Sequence, residues 1–358
     1  MNKPVKIRWV LAHDPIGLFL RAAKVFVKEL EERAPGQLDF EVLTLSEYSE
    51  KYYNGKPVTK YDLLNLMEQG YLEMSQVYTT WLAERYNKNL NIIDMPFLFK
   101  DHDHAGRVFD GEIGTEMLAG IAASNKGVRG LAFTYSGGYR MIPSKTEIKS
   151  VADFKGKKVR VSMSPCAEDT FRLLGADPIK FPVEDIAEAV GEGRVEAGES
   201  TYARFFSLKQ DTTCPVIVDA RHNISATSII VNDAFWASLP SHLQDILQGA
   251  AYASAKSERK EAVDDVDTVQ AQALEQGVRV VKWTEEARSE FASATEELYQ
   301  KYDMILKVKE PQKSEVELIK KEQIIFSYLH LSAEPTLTKN LLKSGCRAIA
   351  FDTVTAND

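Results

Sequence analysis

The sequence predicts a two-lobed α/β protein with parallel or mixed sheets and one long helix lying across the lobes. Three observations predict it. Segments with strand period and helix period alternate from the N-terminus, which implies parallel strands joined by crossover helices. A chain of 358 residues is long for one core and suits two. One amphipathic run, Pro240 to Gln276, is long enough to reach from one core to the other.

The elements follow in order. Val5, Ile7, Trp9 and Leu11 alternate with polar residues, the period of a half-buried strand. His13-Asp14-Pro15 reads as a turn into a helix carrying Phe19, Ala22, Ala23, Phe26 and Leu30, which Pro35-Gly36 stops. Phe40 to Leu45 returns as a strand. Val128 to Phe133 and Val159 to Val161 are further strands; Ala167 to Leu174 and Glu184 to Val190 are helices ending at Gly175 and Gly191. Ile229 to Asn232 is a strand running into a turn at Asp233. The long helix presents Leu243, Ile246, Leu247, Ala250, Val266, Val269 and Ala273 on its apolar side, and Gly277 is placed to cap it. Val278, Val280 and Trp283 alternate beyond, and Thr284 is placed to cap a helix with Phe291, Ala294 and Leu298.

Composition narrows the function. Hydrophobic residues at 44% and charged residues at 27% are ordinary for a globular protein. Forty-four basic against fifty-two acidic residues give a net charge of −8, which argues against a nucleic-acid or anionic-membrane surface but leaves room for a cationic cleft. No apolar run is long enough to span a bilayer. The N-terminus has basic residues but no apolar signal core, so the protein is either cytoplasmic or has had a signal peptide replaced by Met1. Cys166, Cys214 and Cys346 are odd in number and widely spaced, offering neither a disulfide framework nor a metal-ligand pair.

Enzyme signatures are scarce. Asp101-His102-Asp103-His104 has metal-ligand residue types, but Phe97-Leu98-Phe99 before it and Ala105, Val108 and Phe109 after it favour a helix start capped by Asp103. Gly191-Glu192-Gly193 is preceded by a helix and lacks the third glycine of a dinucleotide loop. Neither a phosphate-binding loop nor a Gly-flanked nucleophilic serine occurs.

Two arginines stand out. Arg140 follows Ser136-Gly137-Gly138-Tyr139, where the glycines would allow a ligand close to the backbone. Arg160 lies in the strand Lys158-Val159-Arg160-Val161, just before a loop and helix beginning near Ser162 to Ala167. A guanidinium there can grip a carboxylate with two parallel hydrogen bonds beside the amide donors of a helix end. The alternative from spacing alone is a solvated arginine among Lys155, Lys157 and Lys158.

At these residues the chain resembles the solute-binding subunits of tripartite ATP-independent periplasmic (TRAP) transporters, of the dicarboxylate-binding (DctP) type. The blocks MPFLFKDHDHAGRVFDGEIG, SGGYRMIPSKTEIKSVADFKGKKVRV, LLGADPIKFPVEDIAEAVGEGRVEAGES and VNDAFWASLPSHLQDIL match in order, and the resemblance covers about residues 5–302. It implies a two-lobed, periplasmic-binding-protein-like cleft that closes on a small organic acid for the transporter's membrane subunits, with no catalysis, cofactor or metal. It further implies a monomeric periplasmic protein. The clamping arginine falls on Arg160 and the supporting one on Arg140. Gly198-Glu199-Ser200-Thr201 replaces the family's usual Gln-Glu-Asn-Pro, so Glu199 and Ser200 stand by the ligand, with Ser200 where an amide often donates. His13-Asp14 and the segment Glu73 to Trp81 supply the other wall, with Tyr78 either a ligand contact or a core aromatic. The lobes are expected as 1–124 with about 213–255, and 125–212 with about 256–302.

From Asp303 the chain resembles a fragment of the alanine dehydrogenase or transhydrogenase N-terminal domain, marked by Lys-Val-Lys-Glu-Pro, Tyr-Leu-His-Leu and Ala-Ile-Ala-Phe-Asp-Thr. The resemblance places Lys309 at that family's carboxylate-holding lysine and His330 at its catalytic histidine. Strands at 305–308, 324–329 and 348–351 with helices at 315–321 and 335–343 make a βαβαβ segment. Hydride transfer needs a nicotinamide site, and the chain contains none, so Lys309 and His330 are expected to be relics, not a working site.

Overall fold

The computed structural model describes residues 4–13, 17–301, 304–306, 311, 316–317, 319–327, 329, 331 and 334–350. The strands are β1 (Val5–Leu11), β2 (Leu38–Leu43), β3 (Met74–Tyr78), β4 (Val128–Ser144), β5 (Lys158–Val161), β6 (Asp177–Lys180), β7 (Ala197–Gly198), β8 (Ser200–Thr201), β9 (Val216–Asp219), β10 (Ile224–Asn232), β11 (Arg279–Lys282), β12 (Met304–Leu306), β13 (Ile324–Ser327) and β14 (Arg347–Ala350).

β1 pairs parallel with β2, to which the helix Gly17–Arg33 joins it as the alternating opening predicts, and parallel with β3 on its other side. β10 and β4 then pair antiparallel at the centre, and the order runs β2-β1-β3-β10-β4-β7-β5-β6. β5 pairs parallel with β6 and β7, and β9 joins β11 in parallel to the far end of β4. The sheet is therefore mixed, with parallel wings on an antiparallel centre.

β4 runs far beyond the Phe133 end expected from sequence. It pairs with β10 as far as Tyr139, then with β8 and β9 from Arg140 to Ser144. Ser136-Gly137-Gly138 forms the bulge at the switch, since Ala226 opposes Tyr135 while Ile224 opposes Tyr139. Gly137 and Gly138 have φ of +90° and +71°, and a Cβ on Gly137 would meet the Thr201 Oγ1 at 2.6 Å. These glycines serve the backbone path and the approach of β8, not the approach of a ligand.

Apolar cores flank each part of the sheet. Val10, Leu82, Phe109, Phe133 and Ile230 pack on one face of the first part, and Trp9, Phe26, Leu131, Ile229 and Leu247 on the other. Val159, Phe171, Val218 and Phe291 fill one face of the second part, and Met141, Ile186, Phe205 and Ile217 its other face. Two expected boundaries move accordingly. Residues 125–135 belong with the first part, because Val128 and Phe133 pack there; β9 belongs with the second, because Val216 and Val218 pack against Val159.

The helix Ser241–Glu275 has 35 residues, about 52 Å at 1.5 Å per residue. Its Leu243 and Leu247 pack with Trp9, Ala262 with Phe133, and Ala273 with Ile217, so one helix serves three cores. Gly277 turns the chain just after it at φ +78°, and Thr284 caps the next helix through its hydrogen bond from the Ala287 N–H.

Beyond residue 303, β12, β13 and β14 form a separate three-stranded parallel sheet, with Ile325 packed against Leu337 and Leu341 of the helix Pro335–Ser344. Lys309 and His330 lie outside the described residues, and the expected helix at 315–321 lies partly outside them.

Candidate ligand-binding cleft

Arg160 is placed by β5, whose neighbours β6 and β7 bury Val159 and Val161 on either side of it. The chain then turns through Ser162 and Met163 into the helix Pro165–Leu173, with Ser164 capping and Pro165 in the first turn. Arg160 is only 4% exposed. Its Nε donates to the Phe181 carbonyl at 2.7 Å and its Nη1 to the Glu199 carbonyl at 2.8 Å, bonds that lock the guanidinium plane.

The rest of that guanidinium looks into a cavity of about 50 Å³. One wall carries His13, Lys60, Tyr61, Tyr78, Thr80 and Trp81; the other carries Arg140, Ser162, Met163, Pro182, Val183 and Arg204 beside Arg160. Tyr61 and Met163, about half exposed, stand at the mouth. Of the residues singled out in the sequence, His13, Tyr78, Arg140 and Arg160 line this one cavity. Asp14 lies outside the described residues.

Glu199 and Ser200 are not on the cavity surface. Glu199 sits behind it, fully buried, accepting the Ser162 N–H at 3.1 Å and facing His222 Nε2 at 2.9 Å. Burial disfavours its charge, but Arg140, His222 and the Ser162 amide outweigh burial and hold it down to about 2. Ser200 lies on β8 opposite Met141, fully buried, because β8 turns it into the sheet and not toward the ligand space. Asp103 is not the cap expected at 101–104: Asp101 accepts the His104 N–H at 2.7 Å, and His102 packs on Tyr139 with ring centres 4.6 Å apart.

Arg140 is held by its backbone N–H donating to the Asn223 carbonyl, with Asp94 at 3.8 Å and Glu199 at 3.9 Å. Burial raises Asp94 to about 6 in spite of Arg140. Lys60 reaches across the mouth to Glu184 at 2.6 Å, and His13 Nδ1 approaches the same oxygen at 3.2 Å. Burial lowers His13 to about 4, the positive Arg204 and Lys60 adding to that and Glu184 opposing it, so the imidazole is neutral at pH 7.

Sequence reasoning missed Arg204, Lys60 and Glu184. Arg204, 2% exposed, lies in the short helix Tyr202–Phe205 and donates from Nη2 to the Tyr78 hydroxyl at 2.5 Å and to Ser136 Oγ. A signal was present: a lone cation among Tyr202, Phe205 and Phe206 has no easy route to water. Lys60 carries no comparable signal.

Polar atoms without hydrogen-bond partners gather at this place. His13 Nε2, Arg140 Nε, Ser162 Oγ and Arg204 Nε are all buried and unpartnered on residues of the cavity wall. Native interiors rarely tolerate such groups, and a polar ligand would satisfy several at once. Among the described residues, no group of three or more His, Cys, Asp or Glu is arranged to hold a metal ion.

Residues 13–304 match the family described as "Bacterial extracellular solute-binding protein, family 7". The chain belongs to that family. Residues 268–358 match the "Alanine dehydrogenase/PNT, N-terminal domain" family, overlapping the end of the first match.

Relatives within family 7 include the 2,3-diketo-L-gulonate-binding periplasmic protein of Escherichia coli, 28% identical over 57% of this chain and 61% of that one. The C4-dicarboxylate-binding periplasmic protein of Rhodobacter capsulatus is 26% identical over 71% of both. The chain spans about three fifths of the length of the first curated relatives it matches (58% and 61%). Among solved structures, a TRAP periplasmic solute-binding protein from Pseudomonas aeruginosa with bound L-malate gives a TM-score of 0.74 at 24% identity, covering 84% of this chain and 100% of that one. One from Shewanella oneidensis with bound succinate gives 0.72 at 23%, covering 84% and 94%. These likenesses establish the fold. No helix among the described residues is long and apolar enough to cross a membrane.

Proposed function

We propose that this chain is the periplasmic receptor of a TRAP-type transporter, closing on a small organic acid and handing it to the membrane subunits. The observation that carries the proposal is Arg160: a buried guanidinium, locked in plane by two backbone carbonyls, with its remaining donors on a cavity beside polar atoms that lack hydrogen-bond partners. Arg160 grips the carboxylate, and Arg140 supports it from β4. Tyr78 and His13 close the opposite side; Glu199 and Ser200 act behind the wall, Glu199 by fixing Arg140 and the Ser162 loop.

The division into lobes follows the cores. The first lobe comprises β1, β2, β3, the start of β4 and most of β10; the second comprises the end of β4 with β5 to β9 and β11. Closure brings Lys60 to Glu184 and Tyr78 to Arg204. The chain acts as a monomeric binding protein and not as an enzyme. None of the described residues beyond 303 lines the cleft.

Isothermal titration of the purified protein against a panel of small mono- and dicarboxylates tests this reading. Saturable one-to-one binding to at least one acid is expected. Absence of binding across the panel, in protein with a cooperative melting transition, overturns it.

A further inference from the structure

We propose that Asp94 is a proton site coupled to the anion site: when a carboxylate settles on Arg140, the receptor takes up part of a proton at Asp94. The proposal rests on the carboxylate-receptor reading and adds to it a second, linked ligand, the proton.

Asp94 ends the short helix Lys88–Asp94 and is 2% exposed. It is not on the cavity wall, but Arg140 is, and Arg140 Nη2 stands 3.8 Å from Asp94 Oδ1. Glu199 Oε1 stands 3.9 Å from Arg140 Nε. Neither contact is short enough for a hydrogen bond, so one guanidinium is shared loosely between two buried carboxyl groups. Arg140 Nε and Asp94 Oδ2 have no hydrogen-bond partner.

Arg140 faces Asp94 from β4, Glu199 from the link between β7 and β8, and Ser164 from the cap of the helix Pro165–Leu173. Cys166 of that helix donates to the Asp94 carbonyl, as does the Asn223 side chain, which follows His222 and precedes β10. β10 itself carries no titratable side chain. The adjoining helices turn their charges elsewhere: Arg85 holds Glu68, Arg172 holds Glu168 and Asp169, and Glu84 and Lys88 are exposed. Burial raises Asp94 to about 6 with Glu199 adding to it, while Arg140 and the Ser164 hydroxyl resist. Among the described residues, Arg140 is thus the cation that keeps Asp94 ionised.

A ligand carboxylate enters from the cavity side as a third anion on that guanidinium. Hydrogen-bonded to Arg140, it draws the positive charge away from Asp94. In a buried site one further negative charge nearby raises the proton affinity of a carboxyl group about tenfold. Asp94 then passes from mostly ionised to mostly protonated at about pH 6.5. The proton comes from the solvent and forms an O–H bond on the carboxyl group, with no other atom exchanged. By reciprocity, a proton on Asp94 frees Arg140 for the ligand and strengthens binding by the same factor.

Isothermal titration at pH 6.5 tests this with pyruvate, D-glucuronate and L-tartrate, which are themselves fully ionised there, and with the tightest-binding acid of the wider panel. Heats in PIPES and in imidazole, whose ionisation enthalpies differ, give the protons exchanged. Wild type is expected to take up about half a proton per bound acid, and to bind about twofold to threefold more tightly at pH 6.5 than at pH 7.5. Asp94→Asn keeps the shape but cannot titrate; it should bind with uptake below about a tenth of a proton and without that pH dependence. Asp94→Ser, equally unable to titrate, gives the same comparison if the Asn variant lacks a cooperative melt. Binding without uptake in wild type, or uptake that persists in the variants with His222 or another group as acceptor, overturns the proton site and leaves the receptor reading standing. Failure of every acid to bind overturns both.

Discussion

Lys60 and Glu184, 124 residues apart in sequence, meet at 2.6 Å across the mouth of the cleft. They sit on opposite walls, and His13 approaches the same Glu184 oxygen at 3.2 Å. Burial works against ionising Glu184, yet His13 and Lys60 more than compensate and hold it well below the usual carboxylate range.

Breaking that latch is expected to act on release. Glu184→Gln keeps the shape but removes the charge facing Lys60, and a partly exposed pair of this kind contributes about 1 kcal/mol at most. The dissociation rate should rise about threefold to fivefold, with little change in association. Stopped-flow kinetics measures both; an association rate that falls while dissociation stays constant contradicts the latch.

Arg160→Ala removes the clamp itself. Affinity for the best-binding acid should fall by roughly 2–5 kcal/mol, because the ligand carboxylate loses its buried partner. Calorimetry beside a melting curve of the free protein separates lost binding from lost folding, and wild-type affinity in the variant sinks the clamp.

Glu258, on the long helix, is fully buried and accepts from Gln76 Nε2 at 2.7 Å. Burial raises it to about 8, with the Gln76 and Thr134 hydrogen bonds pulling the other way. Its folded value lies above the unfolded one, near 4.5, so its stabilising contribution is complete below that and is lost as pH rises through 8. Glu258→Gln has no such titration. The stability of wild type relative to Glu258→Gln should therefore decline between pH 5 and pH 8, by roughly 1–3 kcal/mol. Urea denaturation of both proteins at the two pH values checks it, and parallel behaviour refutes it.

Gly137→Ala puts a Cβ against Thr201 Oγ1 at a φ of +90°. A loss of about 1–3 kcal/mol in stability is expected from backbone strain and the clash together. Adding Thr201→Ala removes the Oγ1 contact but leaves the Cβ of residue 201 at 2.8 Å, the Ala203 Cβ at 3.0 Å and the positive φ, so the double variant should recover only a small part of the loss in a thermal melt.

Much of this protein was legible from local pattern. The period-2 run through Val5 to Leu11, the helix behind it and the amphipathic stretch after Pro240 depend on which face each residue presents, and that is written in nearest neighbours. Arg160 was only partly legible in the same way: a strand, a turn and a helix in succession mark a place where an anion can be held, but spacing alone left a solvated arginine equally open, and the family resemblance singled Arg160 out.

Tertiary structure alone decided the rest. The pair Gly137-Gly138 looks like a break, yet it carries one strand across two parts of a sheet because Thr201 needs the room of a missing Cβ. Ser200 follows the family's ligand position in sequence but faces into β-pairing with Met141. Arg204 acquires its place from Tyr78, 126 residues earlier, and Lys60 from Glu184. Such contacts depend on where distant chain segments come to lie, and no local periodicity encodes that distance. The sequence by itself determined the fold class and singled out Arg160 as a candidate; packing decided that it is buried on a cavity and which charges share the cleft with it.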